Sequence, residues 1–230
     1  MGTVVENLNA VRERIAKAAA RVGRAPESIT LVAVTKTISV ERIREAIEAG
    51  HRVFGENRVQ EAQDKIQALG RGVQWHLIGH LQRNKVRFVC DLFDLIHSVD
   101  SLPLAQEIDR RAAQYGIVMP ILIQVNIGDE TTKSGVALPD TLPLVQAVAA
   151  LPHVTIRGLM CIPPALEDPE DVRPYFAQLR GLAEQIAQAS LPNVAMTELS
   201  MGMSHDFEVA IEEGATMVRV GSAIFGPRPA

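Results

Sequence analysis

Eight short apolar runs punctuate the chain, and stretches of helical spacing fill the gaps between them. The runs cover residues 31–34, 52–54, 74–78, 95–98, 121–125, 155–159, 197–199 and 217–220. Several are apolar on both faces, as strands must be when helices cover one side and side chains pack the other. Strand then helix, repeated eight times in 230 residues, predicts an α/β fold with a parallel sheet closed into one (β/α)8 TIM barrel, residues 1–230 forming a single domain. An open doubly wound sheet is the competing architecture. It calls for a glycine-rich turn after the first strand, where this chain reads Val34-Thr35-Lys36-Thr37.

The helical stretches carry their own punctuation. Ile43, Ala46 and Ile47 recur at helical spacing and Gly50 closes that segment. Asn57 with Gln60 reads as an N-cap and its reciprocal partner, and Gly70 and Gly72 end the helix that follows. Residues 102–115 and 172–189 are longer amphipathic segments. An extra helix precedes the first strand: Val4, Leu8, Val11, Ile15, Ala18 and Val22 make one apolar stripe. That stripe predicts a helix packed on the outside or floor of the barrel rather than a coiled-coil partner.

Composition narrows the function. A net charge of −4 argues against a nucleic-acid surface, which needs a broad basic face. Arg83, Lys85 and Arg87 are the one basic run of note and read as a solvated face. Cys90 and Cys161 have neither zinc nor disulfide spacing, which suits a reducing compartment. With no signal pattern and no apolar stretch of about 18 residues, the expectation is a cytoplasmic protein with no membrane contact. His76 and His80 are four apart but lack the intervening glutamate of a zinc helix, so no metal is expected.

In a (β/α)8 barrel the chemistry sits where strands end and the next loops begin. Lys36 lies at the lip of the first strand. Its amine is the group that forms Schiff bases once its pKa is lowered, while a rim lysine covering apolar surface is the structural reading of the same residue. After the seventh run comes Ser200-Met201-Gly202-Met203-Ser204, leading into a helix expected near His205 or Asp206. After the eighth comes Arg219-Val220-Gly221-Ser222. Hydroxyls, glycines and backbone N–H groups in the loops after strands seven and eight are what a phosphate needs. Either loop alone reads as turn chemistry; the two together read as a phosphate site.

A Schiff-base lysine and a phosphate cradle at one barrel mouth imply pyridoxal 5'-phosphate (PLP). Arg219, a permanent cation, could then face the pyridine nitrogen and keep it unprotonated, which weakens the ring as an electron sink. Asn57 could bond the ring hydroxyl. Lys133, in the loop after the fifth run, is either a second amine near the mouth or a polar loop residue. The expected cofactor-binding set is Lys36, Asn57, Ser200, Gly202, Met203, Ser204, Arg219, Gly221 and Ser222.

The chain resembles the pyridoxal phosphate homeostasis proteins, PLP-binding relatives of the alanine racemase N-terminal-domain barrel. The matching segments, in order, are Leu31-Val32-Ala33-Val34-Thr35-Lys36, Phe54-Gly55-Glu56-Asn57-Arg58-Val59-Gln60-Glu61, and Trp75-His76-Leu77-Ile78-Gly79-His80-Leu81-Gln82-Arg83-Asn84-Lys85. Then come Gln124-Val125-Asn126-Ile127, Lys133-Ser134-Gly135, Arg157-Gly158-Leu159-Met160, Leu199-Ser200-Met201-Gly202-Met203-Ser204, Arg219-Val220-Gly221-Ser222 and Ile224-Phe225-Gly226. The resemblance implies Lys36 as the Schiff-base lysine, Arg219 at the pyridine nitrogen, Asn57 beside the cofactor, and the two late loops on the phosphate. Its implied role is intracellular PLP homeostasis, with PLP-dependent apoenzymes as recipients and no firm catalytic activity.

Racemases of this barrel class carry a further β domain whose tyrosine faces the lysine across the cofactor. Here about ten residues follow the eighth run, and Tyr115 and Tyr175 both fall in helical segments. A two-base racemase is therefore disfavoured against a monomeric carrier. A PLP-dependent enzyme acting on an amino acid, and a PLP-free class I aldolase using Lys36, remain as competing readings.

Overall fold

A computed structural model describes residues 2–128 and 134–227. Lys133 lies outside the described residues. The elements run α1 (Val4–Arg21), β1 (Thr30–Val34), α2 (Val40–Glu48), β2 (Val53–Glu56), α3 (Val59–Leu69), β3 (Gln74–Leu77), β4 (Leu95–Val99), α4 (Leu102–Tyr115) and β5 (Met119–Asn126). They continue with β6 (Val136–Ala137), α5 (Thr141–Ala149), β7 (Val154–Cys161), α6 (Arg173–Gln188), β8 (Val194–Met203), α7 (Phe207–Glu212), β9 (Met217–Val220) and α8 (Ser222–Phe225).

Every strand pairing is parallel. β1 to β5 and β7 to β9 form a ring, closed by β4 against β5 and by β1 against β9, while β6 only extends the edge beside the end of β5. This is the eight-stranded barrel read from the sequence. At its seam Val32 stands opposite Arg219 and Ala33 opposite Val220, which brings the lip of β1 beside the end of β9.

The period-two alternation of a strand sorts side chains between two cores. Leu31, Ala33, Phe54, Leu77, Ile96, Ile121 and Leu159 belong to the large apolar layer shared with the helices. Val32, Ile78, Leu95, Leu122, Met160 and Met217 form a separate cluster that fills the ring. The same inward faces carry polar groups nearer the strand ends: Arg219 two residues beyond Met217, and His97 two beyond Leu95.

Helix α1 forms as its stripe predicts. Thr3 and Glu6 make a reciprocal capping box, and Val4, Leu8, Val11, Ile15 and Ala18 are buried. Val22 is 41% exposed because the helix has ended at Arg21. The helix packs on the barrel's outside, against the helices that follow the last two strands. Arg14 makes a two-pronged contact to Glu208, and the Asn7 amide donates to the Ile224 carbonyl at 3.0 Å.

Two expectations are corrected. Helix α3 starts at Val59 with Arg58 in the N-cap position and no side-chain cap, so Asn57 and Gln60 do not form the expected pair. The chain takes one more residue to leave β2 than the sequence pattern suggested, and that turns Asn57 toward the mouth. β8 runs through Met203, so Ser200 and Gly202 lie on a strand rather than in a loop. Helix α7 begins where expected, with Asp206 in the N-cap position and Phe207 as its first residue, and the Asp206 carboxylate accepts the Met203 N–H at 2.6 Å.

Candidate functional site

At the carboxyl ends of the strands lies a cavity of about 300 Å³. Lys36, Asn57, Met203, Ser204, Arg219, Gly221 and Ser222 line it, with Ile38, Ile78, Ile162 and Phe225 as apolar wall. Seven of the nine expected site residues therefore meet at one mouth.

Ser200 and Gly202 do not join them. Ser200 is fully buried inside the ring, where its hydroxyl accepts from Arg219 Nη1 at 2.6 Å and contacts His97 Nδ1 at 2.8 Å. Gly202 sits at φ +89°, and a β-carbon there would come within 2.5 Å of the Ala210 methyl and 2.9 Å of Phe207 Cα. Its small size seats α7 against β8.

Arg219 is 4% exposed. Its acceptors are neutral, Ser200 Oγ and the Cys161 carbonyl at 2.8 Å, and the Asp206 carboxylate acts on it only through its charge. Burial pulls its pKa down from the ordinary arginine value, yet an arginine stays charged in a protein. A buried cation without a bonded carboxylate leaves positive potential in the cavity.

Behind Arg219 a hydrogen-bonded chain crosses the ring. Ser200 Oγ accepts from the guanidinium at 2.6 Å and lies 2.8 Å from His97 Nδ1, and His97 Nε2 lies 3.1 Å from His76 Nδ1. Burial keeps the rings neutral, lowering His76 to about 4 and His97 well below its ordinary value. Sequence reading passed over His97 as part of an apolar run; its place two residues beyond Leu95 on an inward face was the available signal. His76 and His80 do not converge, since His76 faces the ring while His80 is exposed beside Ser134.

The two late loops are tied together at the mouth. Ser204 Oγ accepts from the Gly221 N–H at 3.2 Å and the Ala223 N–H at 3.5 Å. A β-carbon on Gly221 would meet the Val34 β-carbon at 3.3 Å, so this position keeps the backbone close to β1. His205, also on the cavity wall, donates from Nε2 to the Glu167 carbonyl at 2.9 Å and holds the loop after β7 over one side.

The turn that carries Lys36 is gripped from below. Lys65, buried on α3, donates to the Thr35 carbonyl at 2.5 Å, to Glu56 at 2.7 Å and to Glu61 at 2.6 Å. The Thr35 hydroxyl donates to Glu56, and the Thr37 N–H to Glu61, both at 2.5 Å. Burial pushes the Glu56 carboxyl up against the opposing bonds from Lys65 and Thr35. For Glu61 burial also pushes up, but the bonds from Lys65 and Thr37 outweigh it and hold the carboxyl below its usual range.

Residues 7–229 match the family model described as alanine racemase, N-terminal domain. A pyridoxal phosphate homeostasis protein of Aquifex aeolicus (strain VF5) is 50% identical over 224 residues, 97% of each chain. One from Escherichia coli (strain K12) is 47% identical over 99% of this chain and 98% of its own. Among solved structures, PipY of Synechococcus elongatus PCC7942 with PLP bound superposes with a TM-score of 0.85 at 39% identity, covering 97% of this chain and all of that one.

Proposed function

The chain belongs to the alanine racemase N-terminal-domain family and, within it, to the pyridoxal phosphate homeostasis proteins, and from that membership we propose that it holds PLP as a Schiff base on Lys36 and supplies it to PLP-dependent apoenzymes. The observation that carries the reading is the meeting of Lys36 and Arg219, from strands at opposite ends of the chain, on one cavity with the Ser204 and Ser222 loops. PLP bound to the relative PipY supports it.

The residues fit the group. A flat cationic ring bears on Arg219 unfavourably, so a guanidinium whose partners are neutral suits an unprotonated pyridine nitrogen. Ser204, Ser222 and the backbone N–H groups around Gly221 would hold the phosphate, and Met203 and Asn57 would border the ring. Bound there, PLP supplies an aldehyde and an electron-accepting ring. The Lys36 amine would be the nucleophile toward that aldehyde. The wall of Ile38, Ile78 and Phe225 limits water's return.

We read the protein as a carrier, residues 1–230 acting as one monomeric, cytoplasmic, PLP-binding domain, rather than as a two-base enzyme. Tyr115 is 48% exposed on the outer end of α4 and Tyr175 packs from α6, so neither borders the cavity.

Addition of PLP to the purified protein should produce a Schiff-base absorbance band, fixed by borohydride and mapped to the peptide containing Lys36. Lys36→Ala should lose the band. A band that survives in Lys36→Ala, or efficient multiple turnover of an amino acid by the wild type, overturns the reading.

A further inference from the structure

Lys36 sits between two residues whose backbones are fixed by side chains from elsewhere. Thr35 is bound through its carbonyl by Lys65 and through its hydroxyl by Glu56. Thr37 is bound through its N–H by Glu61. Lys65 joins the two carboxylates, so the three charged side chains act as one unit.

The position of this unit is costly. Lys65 and Glu56 are 5% and 0% exposed, and Glu56 Oε2 is buried with no hydrogen-bond partner among the described residues. Apolar residues of similar volume would stabilise α3 against β2 as well or better, because burying an ion pair costs more desolvation than its attraction returns. The turn it holds is itself strained: Thr37 has φ +64°, a left-handed conformation unfavourable for a residue with a branched β-carbon. The Glu61 carboxylate is the side chain that accepts from the amide of that residue. Strain held in place by a dedicated polar unit beside one lysine points to preorganisation of that lysine.

We propose that Glu56, Lys65 and Glu61 form a positioning clamp that presents the Lys36 amine to the aldehyde of the incoming cofactor. The inference rests on the reading of Lys36 as the PLP-bearing residue. None of the three touches the reacting atoms through the bonds described; they act through the backbone of Thr35 and Thr37. Release of the clamp lets Thr37 relax from positive φ and rotates the lysine off its approach, and misplacement of a reacting group by about 1 Å can cost on the order of 100-fold in rate.

The test is the rate of appearance of the Schiff-base band after rapid mixing with PLP, read beside thermal melting. Glu61 lies at the half-exposed edge of the clamp, so Glu61→Ala should leave the fold intact and slow the band roughly tenfold or more. Glu61→Gln keeps an oxygen that can accept the Thr37 N–H and should recover most of that loss. The discriminating variant is the double substitution Glu61→Ala with Thr37→Gly. Glycine adopts positive φ without strain, so the turn no longer needs the carboxylate, and the rate should be restored. A role confined to folding would move melting, not this rescue. An unaltered rate in Glu61→Ala, or a loss that Thr37→Gly fails to restore, overturns the clamp while leaving the Lys36 assignment standing. A wild type that forms no band on Lys36 overturns both.

Discussion

Arg219 and Gly202 stand on neighbouring strands, and their substitutions should separate binding from folding. Arg219→Gln removes the buried cation from the cavity wall. Hydrogen bonds to charged groups contribute about 1.5–3 kcal/mol, so affinity for PLP in a fluorescence titration should fall on the order of tenfold or more. Gly202→Ala forces a β-carbon into Ala210 and Phe207 at φ +89°. It should cost about 2 kcal/mol or more in urea unfolding. Loss of PLP affinity in Gly202→Ala without loss of stability would return that glycine to the phosphate site where the sequence first placed it. At this scale the sequence displays functional groups well and their direction poorly. Ser200 and Ser204 look equivalent in Ser200-Met201-Gly202-Met203-Ser204, yet one closes a hydrogen-bonded chain inside the ring and the other borders the cavity. Lys65 left a trace that went unread: a charge between Ala62 and Ile66, on the buried face of an amphipathic helix.

The elements were legible where periodicity was clean. α4 occupies 102–115 as its pattern indicates, and β9 matches its apolar run residue for residue. β8 was seen as three residues because Ser200 and Gly202 interrupt the apolar signal of a ten-residue strand. Helix α1 shows the converse, an apolar stripe whose purpose is packing. Its contacts include α7 and α8, which directly follow the strands that end at the cavity. Leu8 is fully buried beneath it. Leu8→Ala should cost about 2–5 kcal/mol, seen as a lower midpoint in urea, whereas Thr3→Ala at its N-cap should cost about 1 kcal/mol.

For the molecule as a whole, burial of neutral histidines sets the acid limit. His51 and His76 are held at about 4 by burial, and burial also holds His97 well below the 6.5 of the free ring. Below pH 6.5 the unfolded chain takes up protons that the folded one refuses, so stability falls as pH drops from 6.5 toward 4. Glu56 and Asp206 act in the opposite sense, since burial raises their pKa and the folded state retains their protons; they offset part of the loss near the lower end. Melting temperature should decline steadily across that window, and His51→Gln should flatten the slope. A melting temperature independent of pH between 6.5 and 4 would contradict neutral burial.

The seam between β1 and β9 has a consequence for biogenesis. Lys36 emerges from the ribosome early and Arg219 near the end, and the two become neighbours only when the last strand docks against the first. A nascent chain therefore has the Lys36 amine before it has the cavity. The cavity is complete only in a closed ring, and opening of that one seam would part Lys36 from Arg219.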